Sequence, residues 1–370
     1  MRKTALRSPI HQLFVVVADC LIDIKMASPS TSNRVNKLAG HVAKSGQKEY
    51  RYTLPNSILT DAQRQEYEDN GFIVIKGCVS EAKIDRWSDR FREICEKPAI
   101  RPVSMTVMRD IALAKKLTGT DTTNMNSEQV TTKVQDFQDE PVLFEYCQDP
   151  VILKYVEAFC GPKIVASHTM VINKPTDLGM GTSRHPLHQD LLYFPFRPAD
   201  RICAAWTAME KVTRENGCLI AVPGSHKTEL LEHGYPDWAA INPAYVGIMG
   251  ITSEVKYVHL EMDKGDTVFF HPLLWHGSGR NLTPRFRKAI CCHFGSGDCR
   301  FIDVKGTIQQ ELEDEVKELS KIKFKRLGVE NVTDEMLASM KMADVWEMKS
   351  RVVQGDQMYL PIEEEEDKAH

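Results

Sequence analysis

Two hydrophobic periods divide the chain. Helical spacing dominates the first part. Thr60 is a good N-cap for a helix through Asn70, Gly71 stops it, and Phe72-Ile-Val-Ile75 follows as a strand. Ser80 opens a second helix whose Ile84, Trp87, Phe91 and Ile94 recur every three to four positions, so they face a core. The polar segment Thr118 to Gln129 reads as a surface loop, and Thr132 to Phe137 as a strand that carries Lys133 toward a cavity. Asp149-Pro150 starts a third helix, with Ile152, Tyr155, Val156 and Phe159 as its buried stripe and Gly161 as its stop.

From Lys163 the period shortens to two. Strands are predicted over Ile164–Asn173, His188–Leu191, Ile202–Met209, Cys218–Val222, Val255–Leu260, Thr267–Phe270 and Phe286–Phe294. Asn216-Gly217 is a hairpin signal, and Asp263-Lys-Gly-Asp266 a second turn. Short strands with this punctuation predict a mainly β fold, a sandwich or barrel. After Thr307 the pattern is helical again (Ile308–Lys325, then Thr333–Val352) and ends in the acidic run Glu363 to Asp367, a solvated tail. With no internal repeat, the expected organisation is a flexible arm over 1–49, one β-domain over 50–306, and a helical extension over 307–370 packed on the same domain.

Composition narrows the class. The chain has 370 residues, 42% hydrophobic and 26% charged, ordinary for a soluble globular protein. A net charge of -4 argues against a general nucleic-acid binder. Ten cysteines occur without a Cys-x-x-Cys, and Cys203, Cys218, Cys291 and Cys292 sit in apolar runs, so buried reduced thiols and an intracellular setting are expected. Arg2, Lys3 and Arg7 before Leu13–Ala18 imitate a signal peptide. Asp19 and Asp23 break that run, which is too short to span a bilayer, so no transmembrane segment is expected. Within the Ser/Asn/Lys/Gly-rich arm, Arg34-Val-Asn-Lys-Leu-Ala-Gly-His-Val42 resembles a type-2 peroxisomal targeting signal, with Met26 as an alternative start. That resemblance implies the type-2 import receptor as a partner and the peroxisome as location, or the cytosol where the signal is not read; a chance match in the arm stays open.

Candidate chemistry starts at His188-Gln-Asp190. Side chains two apart on a strand share a face, so imidazole and carboxylate can grip one ion, and with a distant His they form the facial triad of non-haem Fe(II) oxygenases. Alone the pair is weak, because about one His-x-Asp is expected by chance among 12 histidines. The expected third ligand is His276, at a strand end after Pro272, with His271 as rival. His259-x-Glu261 lacks a downstream His, and His168, His185 and His293 read as packing or hydrogen-bonded core residues. Three protein ligands leave room for a 2-oxoacid, whose far carboxylate wants a bidentate arginine. Arg287, on the strand after His276, fits, with Ser278 as a hydroxyl donor and Arg285 nearer the turn.

Longer stretches then point to one family. They include Thr132-Lys-Val-Gln-Asp-Phe137, His168-Thr-Met-Val-Ile-Asn-Lys-Pro175, His185-Pro-Leu-His-Gln-Asp190, Ala205-Trp-Thr-Ala-Met-Glu210, Lys264 to Pro272, His276-Gly-Ser-Gly279 and Phe286-Arg-Lys-Ala289. Together they resemble the phytanoyl-CoA dioxygenase family of peroxisomal Fe(II)/2-oxoglutarate oxygenases, from about Tyr52 to Gly306. The resemblance implies a double-stranded β-helix (jelly roll, cupin-like) with flanking α-helices. It places iron on His188, Asp190 and His276, and 2-oxoglutarate on Arg287 and Ser278, with Lys133, Met170 and Trp206 lining the pocket. It implies O₂ as co-reactant and ascorbate as activator. The implied reaction hydroxylates C2 of a 3-methyl-branched long-chain acyl-CoA, with succinate and CO₂ released, in fatty-acid α-oxidation. Leu192 departs from the family pattern, where a His stands, and is expected to face the substrate. Leu191, Leu192, Tyr193, Phe194 and Phe196 are the candidate acyl slot, and Lys174, Arg184 and Arg197 the candidate CoA-phosphate contacts. Two alternatives stand beside this reading: a 2-oxoglutarate hydroxylase of the same superfamily acting on another small molecule or carrier-bound acyl group, and a non-catalytic cupin-like metal-binding protein.

Overall fold

Thr60 caps the first helix, Asp61–Asn70, in a reciprocal box: Thr60 Oγ1 accepts from Gln63 N at 3.2 Å and Gln63 Oε1 accepts from Thr60 N at 2.9 Å. Gly71 ends the helix at φ 81°, where an added Cβ would stand 2.5 Å from the His226 ring. In the computed structural model residues 49–110, 113, 127–179, 183–235, 246–252, 254–326 and 333–363 are described. The arm with Arg34–Val42, most of the loop 118–129, and the acidic run past Glu363 lie outside them.

The strands run in chain order β1 (Phe72–Ile75), β2 (Thr106–Arg109), β3 (Thr131–Gln135), β4 (Ile164–Lys174), β5 (His185–His188), β6 (Phe196–Arg197), β7 (Ile202–Ala208), β8 (Leu219–Ala221), β9 (His233–Gly234), β10 (Gly247–Ile248), β11 (Val258–Leu260), β12 (Thr267–Phe270), β13 (His276–Ser278), β14 (Arg287–Ser296), β15 (Arg300–Phe301) and β16 (Arg351–Gln354). A large antiparallel sheet has the order β1-β12-β7-β14-β4-β3-β2, with β16 also on β4, and a smaller sheet has the order β11-β8-β13-β5. Two-stranded pairs β9–β10 and β6–β15 stand beside them, and this mainly β architecture is the expected cupin-like roll. Asn216-Gly217 proves not to be a hairpin. Gly217 takes φ 82°, but β7 before it and β8 after it belong to different sheets. The turn therefore carries the chain across the roll.

The period of two sorts side chains between faces. On β14, Ile290, Cys292 and Phe294 join an outer core with Trp87 and Phe91 of helix Glu81–Glu96 and Val156 and Phe159 of helix Pro150–Cys160. Ala289 and Cys291, from the same strand, join an inner core with Trp206, Met170, Leu219 and Ala221, between the sheets. Ser80 precedes its helix as expected, yet its side chain makes no cap bond. The nine described cysteines are free, and Cys203, Cys218, Cys291 and Cys292 are buried.

Contacts divide the chain into two units, residues 50–316 with 341–370, and residues 1–49 with 317–340. In the second, Thr333 caps the helix Asp334–Ser339. The predicted helix Thr333–Val352 is not continuous. A new helix, Met342–Lys349, starts where Asp344 accepts from Lys341 N, and Arg351–Gln354 is a strand, because β4 offers it sheet hydrogen bonds. Among the described residues no helix is long and apolar enough to cross a membrane.

Candidate metal and 2-oxoacid site

Antiparallel pairing of β5 with β13 sets His188 directly opposite His276, and β8 flanks His276 with Ala221. The strand expected over His188–Leu191 stops at His188. Gln189 is still extended, and Asp190 begins a 3-10 turn through Tyr193. The turn is held from outside by Gln309, whose amide donates to the carbonyls of Leu191, Leu192 and Phe194. Gln189, between the two candidate ligands, is fully buried and tied by its side chain to Glu229 O, Leu273 O and Leu231 N. These bonds fix the backbone from which His188 and Asp190 project.

His188 Nε2 lies 3.2 Å from Asp190 Oδ1, and His276 Nε2 lies 3.6 Å from Asp190 Oδ2. Ligand atoms about 2.1 Å from one ion at right angles sit about 3.0 Å apart, so this triangle suits an octahedral cation with open positions. Both rings turn Nδ1 to a backbone carbonyl, His188 to Pro186 O and His276 to Leu274 O, each at 3.0 Å. With Nδ1–H donated there, each Nε2 keeps a lone pair for a metal. Burial alone would raise the Asp190 carboxyl; nearby His276 and His293, with the hydrogen bond from His293, outweigh it and hold the group well below its ordinary value. Among the described residues, His188, Asp190 and His276 form the group of ligand-type side chains that could hold a metal ion.

A second, cationic pole lies where β14 and β4 pair. Arg287 stands directly across from Lys174, and both are buried. The Arg287 guanidinium lies 5.4 Å from the Trp206 ring centre. Trp206 in turn is cross-strand from Cys291, and Cys291 from Met170. Lys174 Nζ donates to Ser278 Oγ at 2.8 Å and to Gly279 O at 2.5 Å. Lys133 pairs with Ile172, two residues before Lys174 on the same strand. The predicted pocket residues Lys133, Met170, Trp206, Ser278 and Arg287 are thus brought together by four adjacent strands of the large sheet, β7-β14-β4-β3, and by β13.

Of the remaining candidates, His271 and His293 fall as expected and the apolar and basic groups are corrected. His271 lies away from the triad, packed on Tyr52 and His226 with Nε2 3.4 Å from Asp200. His293 is a hydrogen-bonded core residue, donating Nε2–H to Asp190 Oδ2 at 2.7 Å. Leu191, Leu192, Phe194 and Phe196 do not form an open slot. They are buried in a third core cluster with Trp346 and Tyr359. Lys174 is not at a cavity mouth, and Arg197 spends its guanidinium on Phe194 O, Phe196 O and Gln309. Arg184 is exposed. Sequence reasoning gave Lys174 to the CoA phosphates rather than to Arg287 and Ser278, and overlooked Gln189 and Gln309. Lys174 carried a signal: it shares strand parity with Met170.

The residues fit iron with a 2-oxoacid. Two neutral imidazoles and one carboxylate are a non-haem Fe(II) donor set. Trp206 Nε1 is a buried donor with no acceptor among the described residues, and it lies beside the cationic pole where an acidic ligand would supply one. Residues 67–289 match the family model described as phytanoyl-CoA dioxygenase (PhyH). The chain is 51% identical over 313 residues to the human peroxisomal phytanoyl-CoA dioxygenase, covering 84% of this chain and 88% of that one. It is 49% identical to a probable phytanoyl-CoA dioxygenase of Caenorhabditis elegans, covering 82% and 96%. Among solved structures, EctD from S. alaskensis with bound Fe is similar in fold, with a TM-score of 0.52 at 16% identity over 68% of this chain and 83% of that one. Family match, relatives and fold agree: the chain belongs to the phytanoyl-CoA dioxygenase family.

Proposed function

We propose that the protein is an Fe(II)- and 2-oxoglutarate-dependent dioxygenase that hydroxylates C2 of a 3-methyl-branched long-chain acyl-CoA, phytanoyl-CoA in the first instance, to the 2-hydroxyacyl-CoA, releasing succinate and CO₂. The observation that carries this reading is the convergence of His188 Nε2, His276 Nε2 and the Asp190 carboxylate on one point, in a chain half identical to a named phytanoyl-CoA dioxygenase. His188, Asp190 and His276 would hold the metal, and three protein ligands would leave positions for cosubstrate and O₂. When bound, the iron with 2-oxoglutarate and O₂ supplies the oxidant that replaces a C2–H by C2–OH. Arg287 and Ser278 receive the far carboxylate, with Lys133, Met170 and Trp206 around it. That leaves the chain's own task as orientation: presenting the acyl C2 to the metal face and excluding water from it. Ascorbate serves as activator by keeping the iron ferrous.

The relatives are named peroxisomal, and Arg34–Val42 is the proposed address. A reporter behind residues 26–50 becomes punctate in a cell that reads type-2 signals, and Arg34→Ala disperses it. A diffuse reporter in both cases rejects the address. The substrate is tested by offering phytanoyl-CoA, a straight-chain acyl-CoA and free phytanic acid, and scoring products by mass. Equal hydroxylation of the free acid, or no acyl-CoA hydroxylated at C2, defeats the substrate assignment.

A further inference from the structure

We propose that Lys174 is a positioning residue for the distal carboxylate of the 2-oxoacid, acting through the hydroxyl of Ser278 beside Arg287. This rests on the 2-oxoglutarate reading above.

The first support is hydrogen-bond accounting. An ammonium has donors and no acceptor, whereas a hydroxyl has one donor hydrogen and two lone pairs. Lys174 Nζ at 2.8 Å therefore occupies a lone pair of Ser278 Oγ and turns the Ser278 hydrogen away from itself. Gly279 O fixes a second Lys174 hydrogen, and Asn281 Nδ2 holds the Lys174 backbone carbonyl at 2.8 Å, so both ends of the residue are anchored. Ser278 is left as a directed donor, the form a carboxylate needs. A serine without such a neighbour points its hydrogen wherever an acceptor offers.

The second support is charge. Lys174 and Arg287 are only 4% and 1% exposed and occupy directly paired positions on β4 and β14. Two cations held together out of water repel, and each is disfavoured by burial, unless an anion joins them. Burial and the Arg287 charge push the Lys174 ammonium well below its ordinary value, and Cys218 and Asp177 oppose this without outweighing it. An arriving carboxylate adds a negative charge that favours both cations. Such an arrangement raises affinity for a dicarboxylic 2-oxoacid and does little for a 2-oxoacid without the second carboxylate.

That contrast is the test. 2-Oxovalerate has the same five-carbon chain and chelating group as 2-oxoglutarate, with a methyl in place of the distal carboxylate. Binding of both is measured by calorimetry on the anaerobic Fe(II)-loaded protein, in the wild type, Lys174→Met, Ser278→Ala and the double variant. Lys174→Met weakens 2-oxoglutarate binding by roughly tenfold or more, as expected for a lost charge-assisted contact, and changes 2-oxovalerate by less than about twofold. The double variant loses no more than about the larger single loss, because Lys174 acts through Ser278. Equal losses for the two ligands, no loss for either, or fully additive losses overturn the proposal. Fe(II) affinity is measured on each variant. Where Lys174→Met no longer binds Fe(II), Lys174→Gln takes its place, and the same selective loss is required. A wild type that does not prefer 2-oxoglutarate over 2-oxovalerate instead overturns the cosubstrate assignment itself.

Discussion

His293 Nε2 donates to Asp190 Oδ2 at 2.7 Å from the inner face of β14. Arg287 opens that same strand, and positions 287, 289, 291 and 293 share one parity. One strand therefore serves both poles of the site, the cationic receptor at its start and the carboxylate of the proposed metal centre further along.

Removing that hydrogen bond loosens Asp190. His293→Phe weakens Fe(II) binding by roughly ten- to hundredfold, the usual consequence of losing a partner behind a metal ligand. His293→Gln, which keeps an amide donor, recovers part of it. Anaerobic equilibrium binding of Fe(II) reads both variants; unchanged affinity in His293→Phe contradicts the role.

His188→Ala and His276→Ala each abolish specific Fe(II) binding, whereas His271→Ala leaves it intact. His271 faces Asp200 and Tyr52 rather than Asp190. If His271→Ala behaves like His276→Ala in the same binding assay, the third ligand has been misassigned.

Arg287→Lys keeps the charge and loses the planar fork. It also leaves two ammonium groups at paired positions. The KM for 2-oxoglutarate rises roughly ten- to hundredfold, the equivalent of about 1.5–3 kcal/mol, with the KM for acyl-CoA unchanged. A steady-state titration of each substrate separates the two. An unchanged KM for 2-oxoglutarate transfers the role to Lys133 or Arg285.

Asp200 gives a pH prediction away from the site. Burial raises its carboxyl, but hydrogen bonds from His271 and Arg51 outweigh this and lower it from 3.8 to about 2. A depressed folded value means the group stabilises the fold above pH about 4 and loses that contribution as pH falls through about 2. Asp200→Asn therefore costs on the order of 1 kcal/mol at neutral pH, limited because Arg51 is exposed. The gap to wild type closes in acid. A denaturation series over pH that shows a constant gap rejects the linkage.

Much of this was legible in residue order. Caps and stops such as Thr60, Gly71, Asp149 and Gly161 are local chemistry, so their helices fall where the pattern puts them. His188, Asp190 and His276 were readable because their types and order follow a metal's needs. The 3-10 turn at Asp190 was not, since its carbonyls are satisfied by Gln309, more than a hundred positions away. Nor was the fate of Phe194 and Phe196: an apolar run suits a slot or a core equally, and Trp346 and Tyr359 decide for the core. Lys174 read as a CoA-phosphate contact because its neighbours in sequence suggest no other anion; only cross-strand register sets it beside Arg287.

The most direct measurement incubates phytanoyl-CoA with Fe(II), 2-oxoglutarate and O₂ and quantifies succinate and 2-hydroxyphytanoyl-CoA together by mass. The wild type yields both in near-equal amounts, and Asp190→Ala, left with two neutral histidines, yields neither. Product without 2-oxoglutarate, or undiminished product from Asp190→Ala, contradicts the account.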